Sequence, residues 1–247
     1  MIERLIVGAL RTNCYFYSFN KKDCLIIDPG AEPLRIISAL ENLNLIPAGI
    51  VLTHGHFDHT LGCLNIKRHF EKRGINIKIA IHHADRTYLG RSGERNNRKH
   101  FIFLGEEAAQ IFDELFEKLP EPDLLLKQGI NVFKSGLVVM ETPGHTPGSI
   151  CLYAKKDGLL FSGDTLFFES IGRTDLPGGN HDLLLKSLKE KILKLPPTTN
   201  IYPGHGPPTN LERELKGNPF LRDIFLAFPP KQRSAKDSSK SKIQRKP

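Results

Sequence analysis

Thr53-His54-Gly55-His56-Phe57-Asp58-His59 is the stretch from which the rest of the chain is read. Three histidines and one aspartate crowd into it, directly after the apolar run Gly49-Ile50-Val51-Leu52. Imidazole and carboxylate are the usual ligands of zinc-like metals. An H-x-H-x-D-H spacing cannot place all four side chains on one face of a helix or a strand. A tight loop at the end of a buried strand can aim them at two adjacent points, which suggests two metal ions. With 10 His in 247 residues, chance gives this pattern in only about one such chain in a thousand, so structural context decides its meaning.

Three later stretches share one form, an apolar strand followed by a turn that carries a metal-type ligand. Thr142-Pro143-Gly144-His145-Thr146-Pro147-Gly148 presents His145, Ser162-Gly163-Asp164-Thr165 presents Asp164, and Tyr202-Pro203-Gly204-His205-Gly206 presents His205. Glycine or proline beside each ligand fixes a sharp turn. Ligands on the ends of sheet strands are held before metal arrives.

Around these ligands the hydrophobic period alternates between strand and helix. Residues 2–19 read as a strand pair and 24–30 as a short strand ending on a turn. Further strands fall at 49–53, 75–81, 130–133, 137–142, 149–154, 158–162 and 200–202. Helices fall at 32–43, 63–72, 181–195 and 211–226. Asp157-Gly158 marks a hairpin. The alternation lapses over 82–126, which is expected to be an insertion over the sheet edge and a candidate substrate lid, helical at 105–118. Arg91 to His100 could hold an anionic substrate tail through Arg91 and Arg95; a solvated basic loop is the favoured reading. Two runs of strands, each followed by helices, suggest two sheets packed face to face with helices outside.

Composition sets the outer bounds. A chain of this length buries a sizeable core without staples, and no apolar run approaches a membrane span. Met1-Ile2-Glu3-Arg4-Leu5 does not resemble a signal peptide, so a cytoplasmic location is expected. Cys14, Cys24, Cys63 and Cys151 form no C-x-x-C pair and are expected as buried free thiols. The net charge of +8 is uneven, with residues 231–247 holding seven basic side chains against Asp237. Residues 227–247 are therefore expected to be a disordered basic tail, a solubilising segment rather than an anchor for nucleic acid or an acidic surface. The folded domain is placed at 1–226.

His54-x-His56-x-Asp58-His59 followed by His145, Asp164 and His205, in this order, resembles the metallo-β-lactamase-fold hydrolase superfamily over residues 2–226. The resemblance implies an α+β fold, a four-layer αββα sandwich with a binuclear site at one edge. It implies that His54, His56 and His145 bind a first metal and Asp58, His59 and His205 a second, with Asp164 bridging. The ions would be divalent: zinc first, iron or manganese as alternatives. Lactamases proper carry cysteine at the Asp164 position, so the resemblance disfavours antibiotic hydrolysis. Gly172-Arg173-Thr174-Asp175-Leu176-Pro177-Gly178-Gly179 is similar to short glyoxalase-II-like proteins, the hydroxyacylglutathione-hydrolase-like subgroup. Glyoxalase II proper has a further helical domain for glutathione, for which the residues after His205 are too few. Arg173 and Asp175 either touch substrate or fix a loop, the second being favoured.

The implied activity is hydrolysis of a small-molecule thioester or similar ester by a metal-bridged hydroxide, with Asp58 orienting the nucleophile as well as binding metal. A thiolate leaves without general-acid help, in keeping with the lack of an obvious acid in the motifs. Three other readings use the same scaffold or ligands. A persulfide-dioxygenase-like enzyme would hold one iron with His54, His145 and Asp164. A nucleic-acid-processing hydrolase is suggested by the basic tail alone. A metal-binding interaction module would have the ligands without turnover.

Overall fold

The computed structural model describes residues 1–221. A six-stranded sheet holds β1 (Ile2–Val7), β2 (Thr12–Ser18), β3 (Asp23–Ile27), β4 (Ile46–Val51), β5 (Lys78–His82) and β6 (Leu124–Leu126), in that order. The first three strands run antiparallel and β3 to β6 parallel. The second half of the chain supplies β7 (Val138–Glu141), β8 (Ile150–Ala154), β9 (Leu159–Gly163), the small hairpin β10 (Leu166–Phe167) and β11 (Ser170–Ile171), β12 (Asn200–Pro203) and β13 (Thr209–Asn210). Five of these form a second sheet in the order β13-β12-β9-β8-β7. The helices are α1 (Pro33–Asn42), α2 (Cys63–Glu71), α3 (Gly90–Leu104), α4 (Glu106–Leu115), α5 (His181–Glu190) and α6 (Leu211–Gly217).

Strand alternation builds the layers. In β2 and β3, Tyr15, Tyr17, Leu25 and Ile27 turn inward and meet Val139, Leu152 and Phe161 of the other sheet. Cys14, Phe16, Cys24 and Ile26 turn outward onto Ile36 and Leu40 of α1 and Ile66 and Phe70 of α2. On the far side, Cys151, Leu160 and Ile201 pack on Leu184 and Leu188 of α5 and Leu211 of α6. The period of two puts every other residue on each face, giving the expected αββα sandwich. All four cysteines are buried free thiols in the helix-facing layers.

Three segments differ from expectation. Residues 90–104 are helix, not a solvated loop. The buried stripe of α3 is Gly93, Asn97 and His100, a helical spacing with no apolar residue, so hydrophobic periodicity does not register it. The end of the expected insertion, 124–126, is β6, a strand of the main sheet. Residues 130–133 are not a strand; a 3₁₀ turn covers Val132–Lys134, with one bridge from Asn131 to Val138. Phe133 lays its ring where a Gly49 side chain would stand, which accounts for glycine inside β4. Helix α6 breaks at Asn218, residues 219–221 are helical again, and the remainder of the helix expected to 226 lies outside the described residues. The basic tail expected at 227–247 lies outside the described residues. No helix among the described residues is long and apolar enough to cross a membrane.

Candidate metal centre

The two sheets are stitched together at one edge. Asn13 N donates to Gly204 O at 2.7 Å, Asn13 Nδ2 to Pro203 O at 2.9 Å and Tyr15 OH to Pro203 O at 2.7 Å. At this edge the turns after β4, β7, β9 and β12 converge, carrying His54 to His59, His145, Asp164 and His205. The parallel pairing of β9 with β12 puts Asp164 and His205 side by side. Glycine at 204 is required there, because a β-carbon would run into Asp164 Oδ1 and the His59 ring.

Six of the seven side chains meet as two triads. Ligand atoms of His54, His56 and His145 lie within 4.8 Å of one another, and so do those of Asp58, His59 and His205. His56 Nδ1 is 3.1 Å from His54 Nε2 and 2.9 Å from His145 Nε2. Asp164 stands between the triads. Its Oδ2 is 3.6 Å from His145 Nε2 and 3.6 Å from His205 Nε2, and its Oδ1 is 3.6 Å from His59 Nε2. Asp164 Oδ1 is buried without a hydrogen-bond partner, costly for a carboxylate unless a cation sits beside it.

Outer partners fix the rings. His59 Nδ1 donates to Asp28 Oδ2 at 3.0 Å, and His145 Nδ1 to the Arg173 carbonyl at 2.7 Å. Thr53 Oγ1 donates to Asp28 at 2.6 Å and accepts from His54 Nδ1 at 3.1 Å. Each bond places a proton on Nδ1 and aims the opposite nitrogen at the site, where a bound cation would take its lone pair. Thr12 Oγ1 donates to Asp58 Oδ2 at 3.0 Å.

Electrostatics divides the site. Burial, reinforced by neighbouring imidazoles, holds His54 and His56 well below the usual imidazole range, so they are neutral donors of lone pairs. Burial also works against a charged His59, but Asp58, Asp164 and Asp28 outweigh it and lift its pKa to about 10. Burial would raise Asp58, yet His59 and His205 pull it down. The acid-rich half thus attracts positive charge, and the donor set fits two divalent ions.

Asp85 ties the two metal loops together. Its carboxylate accepts from Gly55 N at 2.9 Å, Thr146 Oγ1 at 2.7 Å and Gly148 N at 2.6 Å. The α3–α4 hairpin lies over the site: Phe57 meets Phe101 at 4.9 Å and Phe112 at 5.4 Å between ring centroids. A cleft of about 430 Å³ opens on His56, Asp58, His145, Asp164 and His205. Arg173 lines it, its guanidinium held by Asp175 through two bonds of 2.8 Å. Arg91 lines a separate groove beside α2, and Arg95 is exposed on α3; neither lines the metal cleft.

The family model described as the Metallo-beta-lactamase superfamily matches residues 7–205. The chain belongs to the metallo-β-lactamase superfamily. It is 38% identical to a probable metallo-hydrolase, YqgX, of Bacillus subtilis, over 91% of this chain and 99% of that one. It is 34% identical to hydroxyacylglutathione hydrolase GloC of Haemophilus influenzae, over 89% of this chain and 97% of that one. Among solved structures it resembles BLEG-1, described as a B3 metallo-β-lactamase, with TM-score 0.78 and 34% identity over 90% of this chain and 99% of that one. It also resembles TTHA1623 in a di-iron-bound form, with TM-score 0.70 and 33% identity over 88% and 99%. The superfamily and the two triads make it a metallo-hydrolase whose His/Asp clusters are compatible with a dimetal site.

Asp28 and Asp85 were not among the residues singled out from sequence. Asp28 ends an apolar strand at a Pro-Gly turn, the same form that presents His145 and Asp164, so that signal was available. Asp85 sits in a 3₁₀ segment with no local signature.

Proposed function

We propose that the protein hydrolyses a thioester or similar small ester. The observation that carries this is the pair of triads flanking Asp164 at the floor of one cleft. His54, His56 and His145 would hold one ion and Asp58, His59 and His205 the other, with Asp164 shared. When bound, a divalent pair supplies a water acidic enough to attack at neutral pH and an electrophile for the carbonyl oxygen. Asp28, Thr53 and the Arg173 carbonyl keep the imidazole tautomers that binding requires. Asp58, steadied by Thr12, is placed to orient the attacking water. Phe57 and the α3–α4 hairpin cover one side of the site, Phe57 packing on Phe101 and Phe112. No general acid is needed for a thiolate leaving group. The 34% identity to GloC supports a thioester substrate for this site, and the di-iron form of TTHA1623 keeps iron beside zinc as the resident metal.

The test is metal content measured on the same sample as turnover of a thioester panel, with a β-lactam and a persulfide as comparison substrates. Two ions per chain with thioester cleavage is the expected result. A single iron with oxygen uptake on the persulfide, or cleavage of the β-lactam alone, would overturn it.

A further inference from the structure

The cleft above the triads has an apolar wall. Phe101 and Leu104 of α3 face Phe167 and Ile171 of the β10–β11 hairpin, with Leu176 and Leu10 completing the mouth. Leu104 is 44% exposed and Leu10 49% exposed, so apolar surface runs from the metal ligands out to solvent. The polar groups in this wall are already engaged. Asn97 Nδ2 donates to Tyr88 O at 3.1 Å and Gly93 O at 2.9 Å, and His100 Nε2 lies 3.2 Å from the Tyr88 hydroxyl. Arg173 is the one arginine or lysine among the described lining residues, and the Nε–Nη2 edge of its guanidinium is held by Asp175, which neutralises its charge.

A second, smaller arm of about 130 Å³ starts from Phe57, Asp58 and Leu10 and passes between the β1–β2 turn and α1. Its wall is Val7, Ala31, Leu61 and Leu115, and its charged members, Glu32, Asp58 and Glu117, are acids. A carboxylate on either substituent of a carbonyl seated against these walls would therefore lose its water and meet, among the described lining residues, only the Arg173 guanidinium already paired with Asp175, which is unfavourable. An alkyl or aromatic substituent would exchange water for apolar contact, which is favourable.

We infer that the substrate carries an uncharged, apolar substituent on the scissile carbonyl, lodged against Phe101, Leu104 and Phe167. This rests on the hydrolase reading above and narrows its substrate class to hydrophobic thioesters or esters. Phe101 and Leu104 then set specificity, which gives the α3–α4 hairpin a role in selection.

Two thioester series test this on the metal-loaded full chain, one lengthening the acyl group from acetyl to hexanoyl on a neutral thiol, the other lengthening the thiol. In one series kcat/KM should climb roughly three- to fourfold per buried methylene, and S-acylglutathiones should be poorer than neutral thioesters of the same acyl group. Leu104→Gln should lower the hexanoyl-to-acetyl ratio; Leu104 is half-exposed, so the fold is retained. Binding of straight-chain alkylhydroxamates and alkanethiols, followed by calorimetry, gives a readout that needs no turnover. Flat affinity and flat kcat/KM with chain length, or preference for a carboxylate-ended acyl group, would overturn the inference. Chain-length-dependent binding without cleavage of any thioester would sustain the apolar arm and sink only the thioester assignment.

Discussion

Asp28 holds His59 by its Nδ1 nitrogen at 3.0 Å while Thr53 donates to the same carboxylate from its backbone and its hydroxyl, at 2.8 and 2.6 Å. The pair turns His59 Nε2 towards Asp58, Asp164 and His205. Loss of such an outer partner typically costs about 10- to 100-fold in metal affinity. Asp28→Asn is expected to weaken the Asp58–His59–His205 triad by that factor and the His54–His56–His145 triad less, because Asp28 reaches His54 only through Thr53. Equilibrium dialysis at limiting zinc checks it: wild type binds two ions where the variant binds one. Equal weakening of both ions would show that Asp28 does not act through His59.

Asp85 performs a similar task between loops. It joins Gly55, between His54 and His56, to Thr146 and Gly148, on the turn that carries His145. Gly148 has no room for a side chain because Asp85 occupies that space. In Asp85→Ala two backbone N–H groups and a hydroxyl lose their acceptor. A buried donor left unsatisfied costs about 1–3 kcal/mol, so the melting temperature is expected to fall by several degrees and zinc affinity with it. Thr146→Val removes one donor of the three and should do less. Thermal melts and zinc titrations on both variants measure this; an unchanged zinc affinity in Asp85→Ala would refute the coupling of the loops.

The layers and the convergence of the histidines and aspartates were legible in sequence for one physical reason. Strand alternation at Tyr15 to Tyr17 and Leu25 to Ile27, and Pro/Gly turns beside His145, Asp164 and His205, are local signals that survive without tertiary context. α3 was not legible, because it buries glycine, asparagine and histidine. Those residues are inside to meet Tyr88 and the metal loop, and nothing in their neighbourhood along the chain announces it. Arg91 and Arg95 drew attention as charges, but the helix turns them away from the cleft lined by Asn97, His100 and Phe101. Asp85 makes its contacts at separations of 30, 61 and 63 residues, beyond any local pattern.

The metal-free protein should carry a pH signature of its acid-rich triad. His59 has an ordinary value of 6.5; burial would lower it, but Asp58, Asp164 and Asp28 raise it to about 10. A raised folded value means the proton binds more tightly in the folded state. The associated stability is complete below an ordinary imidazole value and is lost as pH rises through the folded one. Asp58, held low by His59 and His205, stays ionised throughout this window and adds no slope. Chelated protein should therefore melt progressively lower between about pH 7 and pH 10, whereas zinc-loaded protein should change less, since the cation replaces the proton. Parallel melting curves with and without zinc across that range would contradict the assignment of His59 to a metal.

Arg173 and Asp175 can be separated by one substitution. Their paired bonds of 2.8 Å hold the guanidinium at the cleft edge, and the guanidinium in turn keeps the Asp175 carboxyl at about 2. The Arg173 backbone carbonyl meanwhile positions His145, so the residue has a structural task that does not use its charge. Exposed ion pairs contribute little to stability, and Asp175→Ala should leave the melting temperature nearly unchanged. It should free the guanidinium for a substrate carboxylate, to which it can bind bidentately. The ratio of kcat/KM for a glutaryl thioester over a butyryl thioester is then expected to rise several-fold relative to wild type. An unmoved ratio, with folding and metal content intact, would leave Arg173 as a loop anchor alone, its contribution to the site made by the carbonyl that orients His145.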